Sequence, residues 1–261
     1  MTQDPAGSGR WIDVQPERFP RWVEAFAARH GALTGEPGTG GAVLRAADGA
    51  AAECRVPFPP LPQEVIALAA PPAAAAGSAA AGGAGAAGGD GTAAGPAGGD
   101  GTAAAAGLAR AMAAHAAADR TVGVLLVRLG GYAAGVFTGS PPTLVASKTG
   151  SRPVHGRSAA GGWSQQRFAR RREQQAASAL AAAADTAVRV FGSYPGRLGA
   201  LVLGGDRRAV AGLRDDPRLR SYFELAVERF LTVPDPRLAV LRECPRLFRS
   251  VQVRVTGQRQ P

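Results

Sequence analysis

Two adjacent glycines, Gly161 and Gly162, stand before Trp163, Ser164, Gln165 and Gln166, and the run continues with Arg167, Phe168 and three arginines, Arg170, Arg171 and Arg172. A glycine pair reaches backbone angles closed to other residues and lets its N–H groups come close to a substrate. At a loop tip such groups can stabilise a developing oxyanion or place a water molecule. No other part of the chain has the spacing of a conventional hydrolase. His30, His115 and His155 lie far apart, and there is no Gly-x-Ser-x-Gly elbow, no pair of metal ligands and no Gly-x-x-x-x-Gly-Lys phosphate loop. His155 is the one histidine near the glycines, placed to contact phosphate or solvent or to act as a base.

Charge gathers around the same residues. Of 30 basic side chains only Lys148 is lysine, and their position says more than their total. Residues 1–118 carry ten acids against seven arginines, whereas residues 119–261 carry 23 basic groups against ten acids. From Lys148 to Arg172 there are seven basic residues (Lys148, Arg152, Arg157, Arg167, Arg170, Arg171 and Arg172) and no Asp or Glu. A positive field so concentrated attracts a polyanion and gains from counterion release, which points to nucleic acid. Cys54 and Cys244 form no Cys-x-x-Cys pattern and make neither a disulfide framework nor a zinc site, so a reducing, cytoplasmic setting is expected. The first residues show no basic and apolar leader pattern, and the long uncharged stretch is Ala and Gly rather than Leu, Ile or Val, so no membrane partner is expected.

Three segments must position these groups. The first, residues 1–68, reads as a small α/β module. It has a strand at Arg10–Val14 and a helix opened by Pro16 and closed by Gly31, with Phe19, Trp22, Val23 and Phe26 at helical spacing. A hairpin of Ala42–Ala46 and Ala52–Val56 follows, turned at Asp48-Gly49 in type I′ geometry. Trp11, Trp22 and Phe26 are expected in its core. Residues 69–118 are dominated by Ala and Gly and contain Gly-Gly-Asp-Gly-Thr-Ala-Ala twice, at 88–94 and 98–104. With so little to bury, the segment is expected to be a disordered linker, helical at most from Leu108 to Ala118.

Residues 119–261 read as a second α/β domain, a mixed sheet with flanking helices. Strands are expected at Thr121–Leu129, Tyr132–Thr138 and Thr143–Lys148. Residues 149–163 are Gly-, Ser- and Pro-rich and read as a mobile loop, after which Ser164 caps a helix reaching Phe191. Phe168, Leu180, Ala184, Val188 and Phe191 give that helix an inward stripe and leave Arg170, Arg171 and Arg172 outside. Beyond it, Leu198–Leu203, Val227–Val233 and Arg249–Val255 read as strands, with helices at Arg207–Leu213 and Pro236–Glu243.

The order of strands, long basic loop, Gly-Gly, Ser, Arg-Phe, arginine-rich helix and then Leu201-Val202-Leu203-Gly204-Gly205 resembles the middle domain of the archaeal and eukaryotic class I peptide-chain release factors, over roughly residues 121–220. It is most similar to the actinobacterial branch of the Vms-like release factors, peptidyl-tRNA hydrolases of ribosome-associated quality control. Trp163 stands where the class I motif has glutamine, and Gly162-Trp163-Ser164-Gln165 satisfies the Gly-x-x-Gln arrangement of other members. The resemblance implies Gln165 as catalytic glutamine, with Gln166 beside it, and Gly161 and Gly162 as the source of loop geometry. It implies a grip on ribosomal RNA by Trp163, Lys148, Arg152, Arg157, Arg167, Arg170, Arg171 and Arg172. The implied partners are the large ribosomal subunit and peptidyl-tRNA, and the reaction needs no metal or organic cofactor. The indole of Trp163 leaves a second reading open, a factor that docks on the ribosome without hydrolysis, since an indole can stack on an exposed base. Nothing in residues 1–68 resembles a stop-codon reader, which argues against codon-directed termination.

Overall fold

The structure, a computed structural model, describes residues 9–67, 97–128, 130–152 and 164–257. The chain divides into two compact units, Met1–His115 with Val251–Pro261, and Ala116–Ser250.

The first unit is built on a five-stranded antiparallel sheet in the order β1-β10-β4-β3-β2. Its strands are β1 (Trp11–Val14), β2 (Leu33–Gly38), β3 (Gly41–Ala46), β4 (Ala51–Arg55) and, from the far end of the chain, β10 (Val251–Thr256). Helix α1 (Phe19–His30) follows a single 3-10 turn at Pro16–Arg18 and sends Phe19, Val23 and Phe26 into the core. A short helix α2 (Gln63–Ala67) closes the segment.

Several expectations change here. β2 was not foreseen, because the Gly and Pro of Leu-Thr-Gly-Glu-Pro-Gly interrupt any strand pattern; it works as an edge strand, where Pro37 has no inner neighbour needing its missing N–H. The β3–β4 turn is longer than a two-residue type I′ loop: the Gly49 N–H reaches the Ala46 carbonyl at 3.0 Å, and Gly49 takes φ of +87°. Phe26 is buried as expected, but Trp11 and Trp22 are only half-buried. Trp11 lies on the sheet surface with the guanidinium groups of Arg55 and Arg254 at 4.5 and 4.9 Å from its ring.

The largest change concerns the expected linker. Residues 68–96 lie outside the described residues, but Ala97–Ala117 forms the helix α3, including the second copy of the seven-residue repeat. Alanine is the strongest helix former, and this helix gains a buried side from Ala105, Leu108, Ala109, Met112 and Ala113. Gly35 permits the approach: a Cβ there would sit 3.1 Å from the Leu108 side chain. The Thr102 hydroxyl accepts the Leu33 N–H at 3.0 Å. The first unit, expected to end at residue 68, therefore extends to His115, and the domain expected over 119–261 loses its last strand, β10, to it. We expect Leu108→Ala to cost about 2–5 kcal/mol in chemical denaturation; a cost inside about 0.5 kcal/mol would return the segment to linker status.

The second unit has a mixed sheet in the order β7-β6-β5-β8-β9, formed by β5 (Val122–Arg128), β6 (Gly131–Thr138), β7 (Thr143–Ser151), β8 (Ala200–Gly205) and β9 (Ala226–Leu231). β5, β6 and β7 make the expected meander, and β8 and β9 add in parallel beside β5. Helix α4 (Ser164–Phe191) covers one face, packing Ala183, Ala184, Ala187 and Phe191 onto Leu125, Val127, Ala134 and Leu201. Beside it lie α5 (Arg207–Gly212) and α6 (Arg220–Phe223). Helix α7 (Leu238–Phe248) covers the other face, where the Phe248 ring meets Phe137 edge-on at 5.6 Å. Cover on both faces explains why Val122–Val127 are all buried. Helix α7 runs longer than expected, carrying Pro245 inside it, and pushes the final strand to start at Val251.

Candidate functional site

Strand directions fix where the basic loop leaves the second unit. β6 is antiparallel to both β5 and β7, while β8 and β9 run parallel to β5, so β5, β7, β8 and β9 share a direction and end at one edge. Ligands of open α/β sheets bind outside such carboxyl ends. β7 extends three residues past the expected Lys148 and pairs Ser151 with Gly131; the Arg152 N–H then reaches the Gly130 carbonyl at 2.8 Å. Helix α4 starts back at Ser164 and runs along the sheet toward Phe191. The loop is therefore anchored on one side by a paired strand and on the other by a 28-residue helix, about 42 Å long at 1.5 Å per residue.

Gly161, Gly162, Trp163, Arg157 and His155 lie outside the described residues. Ser164 is itself the first helical residue rather than the cap before it. The backbone of Gln165, Gln166, Arg167 and Phe168 is helical, so Gln165 stands at the junction of loop and helix rather than inside the loop. Of the candidate basic groups, Lys148, Arg152, Arg170 and Arg171 are exposed. The expected inward stripe holds at Ala184 and Phe191, which are buried, and partly at Leu180 and Val188; the side chains of Phe168, Arg167 and Arg172 are outside the described set.

Along α4 the division of labour is sharp. From Arg170 to Ser178 no described side chain is buried and only Gln175 is half-covered, whereas Ala179, Ala183, Ala184, Thr186, Ala187, Val190 and Phe191 are all buried. The far half holds the helix to the sheet, and the near half offers arginines to solvent. No acidic residue occupies its first turn. The helix N-terminus adds its own partial positive charge to that end.

The described residues hold no competing chemistry. His30 pairs with Asp48 at 2.8 Å and the His115 ring nitrogen contacts the Phe58 carbonyl at 2.7 Å, both in the first unit. No group of three or more His, Cys, Asp or Glu fit to hold a metal ion exists among the described residues. Burial pushes the Cys244 thiol up to about 12 and raises Cys54 as well. Thiolate is the reactive form, so neither cysteine should react with a thiol reagent at pH 8 until the protein is unfolded; rapid labelling of the folded chain would contradict this.

Residue spacing had not singled out Arg128, Arg207 and Arg237. They are far apart in sequence and meet the loop-bearing edge only through the sheet, so no local pattern announces them.

A mixed sheet sandwiched by helices, with a basic loop and an arginine-bearing helix at one edge, defines a release-factor-like domain. The model of the Actinobacteria/chloroflexi VLRF1 release factor matches residues 120–254, more than half of the chain. The chain belongs to this family, the Vms-like release factors, and with it has a release-factor-like role in translation and an interaction with the ribosome. The match covers the second unit and runs on into β10. No curated protein matches the chain. No helix among the described residues is long and apolar enough to cross a membrane.

Proposed function

We propose that the chain is a peptidyl-tRNA hydrolase that frees nascent peptides from stalled complexes on the large ribosomal subunit, in the cytoplasm. The observation that carries this reading is the placement of Gln165 at the start of α4, three residues after Gly162 and on the end of the helix that carries the exposed Arg170 and Arg171. Gly161 and Gly162 give the loop its geometry, and a backbone N–H faces the oxyanion. The Gln165 amide holds a water whose oxygen attacks the ester carbonyl carbon joining peptide to tRNA. The carbon–oxygen bond to the tRNA ribose breaks, that oxygen takes up a proton, and the peptide leaves with a carboxylate. Lys148, Arg152, Arg157, Arg167, Arg170, Arg171 and Arg172 hold phosphates of ribosomal RNA while Trp163 stacks on a base. The reaction uses the chain's own amides and water, with no metal or organic cofactor.

Trp163 in the place of the class I glutamine supports a second reading, docking without hydrolysis. The deciding experiment is release of labelled peptide from peptidyl-tRNA held on isolated large subunits. Release by the wild-type chain supports the hydrolase; tight binding with no release leaves the docking factor.

A further inference from the structure

We infer that the carboxyl-terminal edge of the second unit's sheet is a preformed contact surface for the sugar-phosphate backbone of large-subunit ribosomal RNA, built by Arg128, Arg207 and Arg237 together with Arg152. This rests on the reading of the chain as a ribosome-binding factor and adds Arg128, Arg207 and Arg237 to a surface that shares only Arg152 with the residues assigned around the glycine loop. Arg128 ends β5, Arg152 follows β7, Arg207 stands two residues past β8, and Arg237 follows β9. Backbone bonds lock these ends together: the Asp206 N–H reaches the Val127 carbonyl, and the Arg152 N–H the Gly130 carbonyl, each at 2.8 Å. Gly205 makes the first of these possible, with φ of +99° and no room for a side chain, since a Cβ would meet the Val127 carbonyl oxygen at 2.2 Å.

Two of the four arginines are also held in place. The Arg128 guanidinium donates to the Val233 carbonyl at 2.9 Å. That of Arg207 lies over the Phe230 ring at 4.3 Å. Arg128 and Arg237 line one open groove of about 350 Å³ with Pro234, Asp235 and Val240. Side chains already fixed lose little entropy on binding. Two acids share the edge. Asp206 turns its carboxylate to the Arg208 and Ala209 N–H groups, and Asp235 stands 3.9 Å from Arg128. Four arginines against two acids leave the edge positive, with one of those acids engaged by backbone.

The span of the row selects the partner. From β7 to β9 there are four strand spacings, roughly 19 Å at about 4.8 Å each, a width suited to folded RNA rather than to one nucleotide. The edge stands at the root of the loop. When the loop tip is at the ester, the edge faces the RNA surrounding the point of insertion, which belongs to the subunit rather than to the tRNA.

The test is affinity for vacant large subunits across a KCl series, for the wild type, Arg207→Gln with Arg237→Gln, and Arg207→Lys with Arg237→Lys. Each lost phosphate contact lowers the slope of log affinity against log salt by about 0.7–0.9. The glutamine pair should therefore lose about 1.5 in slope and bind about tenfold more weakly at 0.1 M salt, while the lysine pair restores most of both. Wild-type slope and affinity in the glutamine pair, alongside weakened binding by Lys148→Gln with Arg171→Gln, would overturn the edge and leave the ribosome reading standing. Loss that appears only on subunits carrying peptidyl-tRNA would overturn the assignment to ribosomal RNA. Wild-type affinity indifferent to salt would remove both readings together, whereas absence of peptide release leaves the edge untouched.

Discussion

Gln165→Ala lowers peptide release on isolated large subunits by about 10²-fold or more while leaving subunit affinity within about twofold, if Gln165 places the attacking water. Misplacing a reacting group by about 1 Å costs about 10²-fold in rate, and without the Gln165 amide nothing in this mechanism fixes the water. In the proposed mechanism binding rests elsewhere, on Lys148, Arg152, Arg170 and Arg171, all of which are exposed. Gln165 opens α4 as its second residue, so the substitution leaves the helix free to form; alanine is the better helix former there. Gln166→Ala is the matched control, one residue further along the same turn. Release lost in Gln166→Ala and kept in Gln165→Ala would move the chemistry to the neighbouring amide. Release kept in both would end the glutamine mechanism. A docking factor behaves differently: nothing is released to begin with, and Trp163→Ala weakens binding by about 1–3 kcal/mol through the lost stack.

The parts of the second unit visible in sequence were those whose pattern is local. Val122, Val124 and Leu126 mark a strand by type alone, and the stripe ending in Ala184 and Phe191 marks α4 by period. What escaped depends on partners far away. Ala97–Ala117 carries almost no large side chain, so its composition looks like a linker's; it packs because Gly35 lets Leu108 come close. β10 reads as the end of the second domain, yet its partners are β1 and β4 at the other end of the chain. Trp11 looks like core by type, but its place on β1 gives it to the arginines of β4 and β10. The loop-proximal arginines were legible as a run, while Arg128, Arg207 and Arg237 converge only through strand order.

Phe191→Ala separates the two halves of α4 by destabilising the second unit without touching the loop. The Phe191 side chain is fully buried, packs against Tyr222 at 5.3 Å between ring centres, and lies where a Cβ on Gly123 would come within 3.3 Å of its ring. Removing such a ring costs about 3–5 kcal/mol, the lost transfer energy plus the cavity left between helix and sheet. For a unit of this size the midpoint of thermal unfolding should fall by roughly 10 °C or more. Arg171→Ala, on the exposed half of the same helix, should move stability by no more than about 0.5 kcal/mol and instead weaken subunit binding. Below its lowered transition the Phe191 variant should still release peptide at near the wild-type rate per folded molecule, because its lesion lies 26 residues along the helix from Gln165, about 39 Å at 1.5 Å per residue. A wild-type melting curve for Phe191→Ala would show that the helix is not held to the sheet by its far end. Release lost at temperatures where that variant is fully folded would mean that the loop's position depends on the packing of the whole helix, not on its first turns alone.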